Sequence, residues 1–241
     1  MQLKISKTKQ QVAQNFTDYL VDLMDSNEVM HIALSGGSTP KIVFDELASR
    51  NIPEKIWRKV HLYWGDERCV PPADDDSNYK MTVEHLLSKI EIPDENIHRI
   101  MGENDSDDEA ERYAENLENQ LPKMDGFPRF DLVILGMGDD GHTASIFPHE
   151  IELWDSEKLC EVAEHPQSGQ KRITITGKLI NHAATVAFLV TGDSKADKVE
   201  EIIEKKGGFK DYPASLVSPN SSNLLWFLDD AAAAKITSSR S

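Results

Sequence analysis

Four stretches of this chain carry side chains able to do chemistry on a small molecule. The first is the loop Ser35-Gly36-Gly37-Ser38-Thr39-Pro40. Its paired glycines let the backbone come close to a ligand and tolerate positive φ. Ser38 or Thr39 is suited to cap a following helix, with Pro40 in its first turn. Backbone N–H groups at such a helix start attract an anion, and the helix dipole favours negative charge there. The loop is neither a Walker A motif nor GxGxxG, so it gives no support for a nucleotide. The second stretch is Asp66-Glu67-Arg68, three adjacent charges after an apolar run ending in Trp64. The planar fork of Arg68 fits a phosphate or a carboxylate. The third is Asp139-Asp140-Gly141-His142-Thr143-Ala144-Ser145. His142 can take a proton from water near neutral pH, and glycines at 136, 138 and 141 allow a bent loop that aims the imidazole outward. The fourth is a pair of isolated cations, Arg172 and Lys195, able to supply the positive charge an anionic substrate needs. No GxSxG elbow is present, which argues against a serine esterase. No HExxH or other metal-ligand spacing occurs either. His31 stands at the head of an expected strand and reads as structural.

These residues share a setting. A short apolar run precedes each of three polar loops and the Lys195 loop: Val29–Leu34, Val60–Trp64, Asp131–Leu135 and Thr185–Thr191, with a fifth run at Leu224–Leu228. Helical stretches follow at KIVFDELASR, NYKMTVEHLLSKI and ADKVEEIIEKK, and DDAAAAKI after the last run is read the same way. Continuous apolar strands alternating with helices predict an open, three-layer, Rossmann-like α/β fold: a mostly parallel sheet buried on both faces by helices. Ligands of such sheets bind beyond the carboxyl ends of the strands, where the chemistry-bearing loops fall. Lys158–Thr176 reads as two short strands joined by a polar turn, a hairpin-like insertion. Glu103–Glu118 holds eight carboxylates and one arginine. It reads as a solvated loop leading into an exposed helix, capped by Ser106 or a neighbouring aspartate. No linker divides the chain, so residues 1–241 are expected to form one domain.

Composition narrows the function. Twenty-six Lys plus Arg against 42 Asp plus Glu leave a formal charge of −16 over 241 residues. A body this acidic repels phosphate backbones and anionic lipid, which disfavours nucleic-acid and membrane-surface binding but leaves room for a small anion gripped by local cations. The apolar runs are strand-sized, far below the roughly 20 residues of a membrane helix. The opening residues lack the apolar core of a signal peptide. Cys69 and Cys160 lie far apart and outside any metal-binding pattern, as expected for free thiols in a reducing compartment. A cytoplasmic protein is expected, and nothing in the sequence demands more than a monomer.

The chain resembles the 6-phosphogluconolactonase family, within the superfamily that also holds glucosamine-6-phosphate isomerases/deaminases. The resemblance rests on LSGGSTP (34–40), WGDERCVPP with SNY (64–72, 77–79), FDLVILGMGDDGHTASIFP (130–148), RITITGKLIN (172–181), VTGDSKA (190–196) and YPASLV (212–217). It implies hydrolysis of 6-phospho-D-glucono-1,5-lactone, a phosphosugar lactone, to 6-phosphogluconate in the oxidative pentose phosphate pathway. It also implies a Rossmann-like fold and no metal or organic cofactor. Carried over by motif, His142 matches the family's general base, with Asp66 and Asp140 as acidic positions beside it. Arg68, Arg172 and Lys195 match cationic positions at the phosphosugar site, lined by Gly36, Gly37 and Ser38. The deaminases resemble the chain in the GGSTP-like loop and in DGH, but typically continue I-A-F-N-E-P, whose glutamate partners the histidine. Here Thr143–Pro148 has no glutamate, and Arg68 stands where the deaminases place a tyrosine, so the lactonase reading is preferred. A non-catalytic sugar-phosphate sensor on the same fold is the alternative from another class. In the expected reaction His142 activates water, Asp66 or Asp140 orients the imidazole, and loop N–H groups or an arginine receive the oxyanion.

Overall fold

The computed structural model describes residues 1–237, so the last four residues of the expected 1–241 domain lie outside the described residues. In chain order the elements are β1 (Gln2–Ser6), α1 (Lys9–Ser26), β2 (Met30–Leu34), α2 (Ser38–Ser49), α3 (Glu54–Trp57), β3 (Val60–Trp64), β4 (Asp66–Arg68), α4 (Asn78–His85), β5 (Ile97–His98), α5 (Ser106–Gln120), β6 (Lys123–Met124), β7 (Phe127–Pro128), β8 (Leu132–Leu135), β9 (Cys160–Glu164), β10 (Lys171–Ile175), α6 (Gly177–His182), β11 (Val186–Val190), α7 (Ala196–Ile203) and β12 (Leu224–Asp229). Seven strands form one sheet in the order β1-β12-β11-β8-β2-β3-β5, and every pairing in it is parallel. Strands β8 and β11 are buried at every position, as a sheet covered on both faces requires. With helices around it, this is the expected Rossmann-like α/β architecture. None of the described helices is long and apolar enough to cross a membrane.

The strand order creates the binding crevice. From β2 the chain passes to β3 on one side, whereas from β8 it continues to β11 on the other. The loops leaving the carboxyl ends of β2 and β8 therefore diverge, and the gap between them is where open α/β sheets bind ligands.

The first strand and helix were not singled out above, although α1 has a readable apolar stripe. Val12, Phe16, Leu20 and Met24 recur every four residues and are all buried. Thr8 caps the helix by accepting from the Gln11 N–H at 3.2 Å. Phe16 meets Phe227 of β12 edge-on, with ring centres 5.1 Å apart.

Two local expectations need correction. The acidic stretch is not simply a solvated face. Of the two expected caps the neighbouring aspartate, Asp105, is the one used at α5, but Glu109 is fully buried, accepting from Arg112 and from the Met101 N–H. On the same inner side the Tyr113 hydroxyl bonds both the N–H and the carbonyl of Trp64, each at 2.9 Å. DDAAAAKI forms turns rather than a helix. Asp229 accepts there from the Ala232 N–H (2.8 Å), as an N-cap does, and also from the Gly192 N–H (3.0 Å), tying the turns after β12 to the loop after β11.

The expected hairpin is present as antiparallel β9 and β10. It recruits β4 to make a second, three-stranded sheet in which Arg172 and Arg68 are register partners. Two guanidinium-bearing residues 104 positions apart in sequence are thereby brought side by side.

Candidate active site

Gly36, Gly37, Ser38, Asp66, Arg68, His142, Arg172 and Lys195 all line one cavity of about 270 Å³ at the carboxyl ends of the strands. Asp140, the ninth candidate, stands behind His142. The cavity begins where β2 runs into α2. A Cβ on Gly36 would lie 1.9 Å from the Asn78 amide oxygen, so only glycine lets Asn78 occupy its place. Gly37 has φ +108 and is itself the N-cap of α2. Neither Ser38 nor Thr39 caps, contrary to expectation; no side chain does. The first N–H groups of α2 therefore face the cavity without a side-chain acceptor of their own. Thr39 instead bonds Thr191 at 2.8 Å, joining the start of α2 to the end of β11 and to the loop that carries Lys195.

The His142 loop is built by close packing. A Cβ on Gly138 would come within 2.2 Å of the imidazole, and Gly141 has φ +86 with Tyr212 packed against it. Asp140 Oδ1 accepts from His142 Nδ1 (2.6 Å) and from the His142 backbone N–H (3.1 Å). With a proton at Nδ1, the neutral imidazole keeps its lone pair at Nε2. Burial works against the Asp140 charge, but the hydrogen bond and charge of His142 prevail and lower its pKa to about 2. Phe147, fully buried, lies against the imidazole with ring centres 4.7 Å apart.

Asp66 has a different setting. It is buried, accepts from the Ser145 hydroxyl at 2.6 Å, and takes a longer contact from Asn78 Nδ2 at 3.4 Å. Its carboxylate makes no hydrogen bond to His142. Glu67, next in sequence, is buried and satisfied by donors only: the N–H groups of Arg68, Asn78 and Tyr79 and the Ser77 hydroxyl. Burial raises its pKa, and the backbone hydrogen bonds oppose that rise. It thus pins the first turn of α4 to β4, and with it the residue that supplies the Arg68 fork.

The three cations differ. Lys195 Nζ lies 2.6 Å from Asp139 Oδ1, and that bond lowers the Asp139 pKa. Arg68 gives one N–H to the Asp76 carbonyl. Arg172 is 9% exposed, and its guanidinium stands 5.5 Å from the centre of the Phe147 ring. Burial lowers its pKa.

Sequence reasoning missed Glu67, Asn78, Ser145, Phe147 and Thr191. Only Asn78 carried a signal, as the residue after a plausible helix cap at Ser77. Among the described residues no group of three or more His, Cys, Asp or Glu side chains could hold a metal ion.

The family profile described as Glucosamine-6-phosphate isomerases/6-phosphogluconolactonase matches residues 4–226. The chain is 46% identical over 222 residues to a protein of Haemophilus influenzae named 6-phosphogluconolactonase, covering 92% of both chains. Among solved structures it resembles one described as devB protein (TM-score 0.92, 42% identity, 98% of this chain and 99% of that one). It also resembles the 6-phosphogluconolactonase of Trypanosoma brucei (TM-score 0.86, 29% identity, 98% of each chain). Sequence, fold and the order of the cavity motifs thus agree, and the chain belongs to the glucosamine-6-phosphate isomerase/6-phosphogluconolactonase family.

Proposed function

We propose that the chain hydrolyses 6-phospho-D-glucono-1,5-lactone to 6-phosphogluconate, with His142 as general base. The observation that carries this reading is the His142–Asp140 pair, its Nδ1 occupied, set in the wall of a cavity that also holds Arg68, Arg172 and Lys195. Relatives named 6-phosphogluconolactonase support the same substrate.

The phosphate at C6 is held by Lys195, the first N–H groups of α2 and Arg68. Asp139 is largely exposed, so it can share Lys195 with an incoming phosphate. Binding energy from this remote group fixes the lactone carbonyl relative to the base. Nε2 takes a proton from water as the water oxygen bonds to C1, and the carbonyl pair moves onto the exocyclic oxygen. The tetrahedral intermediate then collapses. The exocyclic oxygen re-forms the carbonyl, the bond from C1 to the ring oxygen breaks, and the ring oxygen leaves with the pair and takes the proton back from the imidazolium; the carboxylic acid so formed then releases its remaining proton to solvent as 6-phosphogluconate. Asp140 keeps the imidazole in the required tautomer and stabilises its positive form. General acid–base assistance of this kind typically contributes about 10²–10⁴-fold. Asp66, bonded to Ser145 and Asn78, shapes the cavity floor.

We propose that the chain works as a single domain and as a monomer. A reducing cytoplasm suits its two free thiols, Cys69 and Cys160. The test follows proton release from freshly made phosphogluconolactone, with ammonia release from glucosamine 6-phosphate in parallel. Acceleration of the first reaction alone is expected. Ammonia release without lactone hydrolysis would assign the chain to the deaminase chemistry instead, and neither activity would favour a sugar-phosphate sensor.

A further inference from the structure

The three cavity cations are not equivalent, and the difference deepens the lactonase reading, on which this inference rests. Lys195 already has a carboxylate partner, and the Thr39–Thr191 bond puts its loop beside the start of α2. That side of the cavity is suited to the phosphate. Arg172 rises from β10, in the second sheet. It is nine-tenths buried, yet its side chain makes no hydrogen bond or ion pair among the described residues, and its Nε is buried without a partner. The nearby carboxylate of Asp66 is engaged by Ser145 and Asn78. Stacking on Phe147 holds the guanidinium in place, and the same ring packs on His142. A mostly buried arginine whose Nε has no partner, and whose guanidinium borders the cavity without an acceptor, is costly to maintain unless an anion completes it. It shares its ring neighbour with the base, so that anion belongs at the reacting end of the substrate.

We infer that Arg172 receives the negative charge formed at C1 of the lactone, stabilising the tetrahedral oxyanion and then the carboxylate of the product. The reaction creates an anion at this one carbon. As water adds, the carbonyl pair goes onto the exocyclic oxygen. When the ring bond breaks, the oxyanion pair re-forms the carbonyl, the ring oxygen leaves as a hydroxyl with the imidazolium proton, and the new carboxylic acid gives its proton to solvent, which restores a negative charge at C1. The fork of a guanidinium fits both species, and a lysine ammonium at the same place does not reproduce its paired donors. Arg68, in register beside it, also has a buried Nε without a partner among the described residues, but it gives one N–H to the Asp76 carbonyl and does not lie against Phe147, so it is left to the phosphate.

The test compares two unreactive ligands that share the phosphate and differ at C1. These are 6-phosphogluconate, with a carboxylate, and glucitol 6-phosphate, with a hydroxyl. Their affinities are measured calorimetrically for the unmodified chain, Arg172→Gln and Lys195→Gln. Arg172→Gln is expected to weaken 6-phosphogluconate by about 10–100-fold, the worth of a charge-assisted hydrogen bond, and to leave glucitol 6-phosphate within about twofold. Retained glucitol 6-phosphate binding also reports that the variant site is folded. Lys195→Gln is expected to weaken both ligands alike. Turnover of Arg172→Gln should fall about 10²–10³-fold, as when an oxyanion donor is removed, with Arg172→Lys recovering only part of it. Equal weakening of both ligands by Arg172→Gln would make Arg172 a phosphate holder and overturn the inference, as would no weakening of either. If the unmodified chain bound neither ligand, the phosphosugar reading itself would fail. If it bound both and hydrolysed the lactone while Arg172→Gln matched it, this inference alone would fail.

Discussion

Replacing Asp140 by Asn removes one charge from the pair that carries the proposed chemistry, and the structure limits how large the effect should be. Asp140 Oδ1 faces two donors of the same residue, His142 Nδ1 and the His142 backbone N–H. The backbone group cannot become an acceptor. An asparagine therefore keeps its amide oxygen toward His142, and the imidazole keeps its proton at Nδ1. The loss is of charge and not of tautomer. The Asp140 pKa is lowered from 3.8 to about 2 against the pull of its own burial, chiefly by His142. That difference corresponds to about 2.4 kcal/mol, and solvent screening of a half-buried pair reduces it to roughly 1–2 kcal/mol. Since 1.36 kcal/mol is tenfold in rate, kcat should fall roughly 5–30-fold. Reversal of the tautomer would cost about 10⁴-fold. The assay is kcat by pH-stat on fresh lactone, with 6-phosphogluconate affinity measured alongside. An unchanged kcat would remove Asp140 from the mechanism, and a loss as deep as tautomer reversal would refute the argument that the backbone N–H fixes the amide.

Glu67→Gln places an amide NH₂ among four donors and leaves at least one buried group unsatisfied. It should cost about 1–3 kcal/mol of stability, read as a lower melting temperature, and should raise KM more than it lowers kcat because Arg68 loses its support; an unaltered melting temperature would contradict this. On the amino-terminal half of the sheet, His31, His61, His98 and Tyr63 form a stack of rings. Burial and then neighbouring histidines lower the pKa values of His31 and His98 to about 4. The unfolded chain, with ordinary values near 6.5, then binds more protons between about pH 6.5 and 4, so stability should fall as pH drops through that window and level off below it. The His98→Gln variant should show a shallower decline in melting temperature from pH 7 to 5, and an identical slope would refute the assignment.

Much of the site was legible because its signals are local. Glycines at 36, 37, 138 and 141 stand within a few residues of Ser38 and His142, so loop composition and strand ends pointed to both, although the close neighbours of Gly36 and Gly141, Asn78 and Tyr212, come from far along the chain. The apolar runs of β8 and β11 read as buried strands because both faces are covered. What stayed hidden depends on distant chain segments. Nothing near Arg172 indicates that β10 will pair with β4 and place it beside Arg68. Glu67 read only as one of three adjacent charges at a strand end, and three of the four donors that let it be buried come from Ser77, Asn78 and Tyr79 at the start of α4. Glu109 was lost in an acidic run for a different reason: its partners, Arg112 one turn on and the Met101 N–H just before the helix, are local, but its burial depends on which face of α5 packs inward. The segment expected as a helix after β12 forms turns instead, with Asp229 accepting from the Ala232 N–H and, across the sheet end, from the Gly192 N–H, a partner its own neighbourhood in the sequence does not announce. Which carboxylate faces His142 was also open from sequence, Asp66 and Asp140 being equally acidic there. Its answer lies in the two-residue span from Asp140 to His142, short enough for one side chain to meet both N–H groups.

The most direct test of the account is the single-turnover rate of His142→Ala on fresh 6-phospho-D-glucono-1,5-lactone, read beside its affinity for 6-phosphogluconate. Hydrolysis is expected to drop by about 10²–10⁴-fold while 6-phosphogluconate binds within a few-fold of normal, because Lys195, Arg68, Arg172 and the start of α2 are untouched. Hydrolysis at near the unmodified rate would contradict the account.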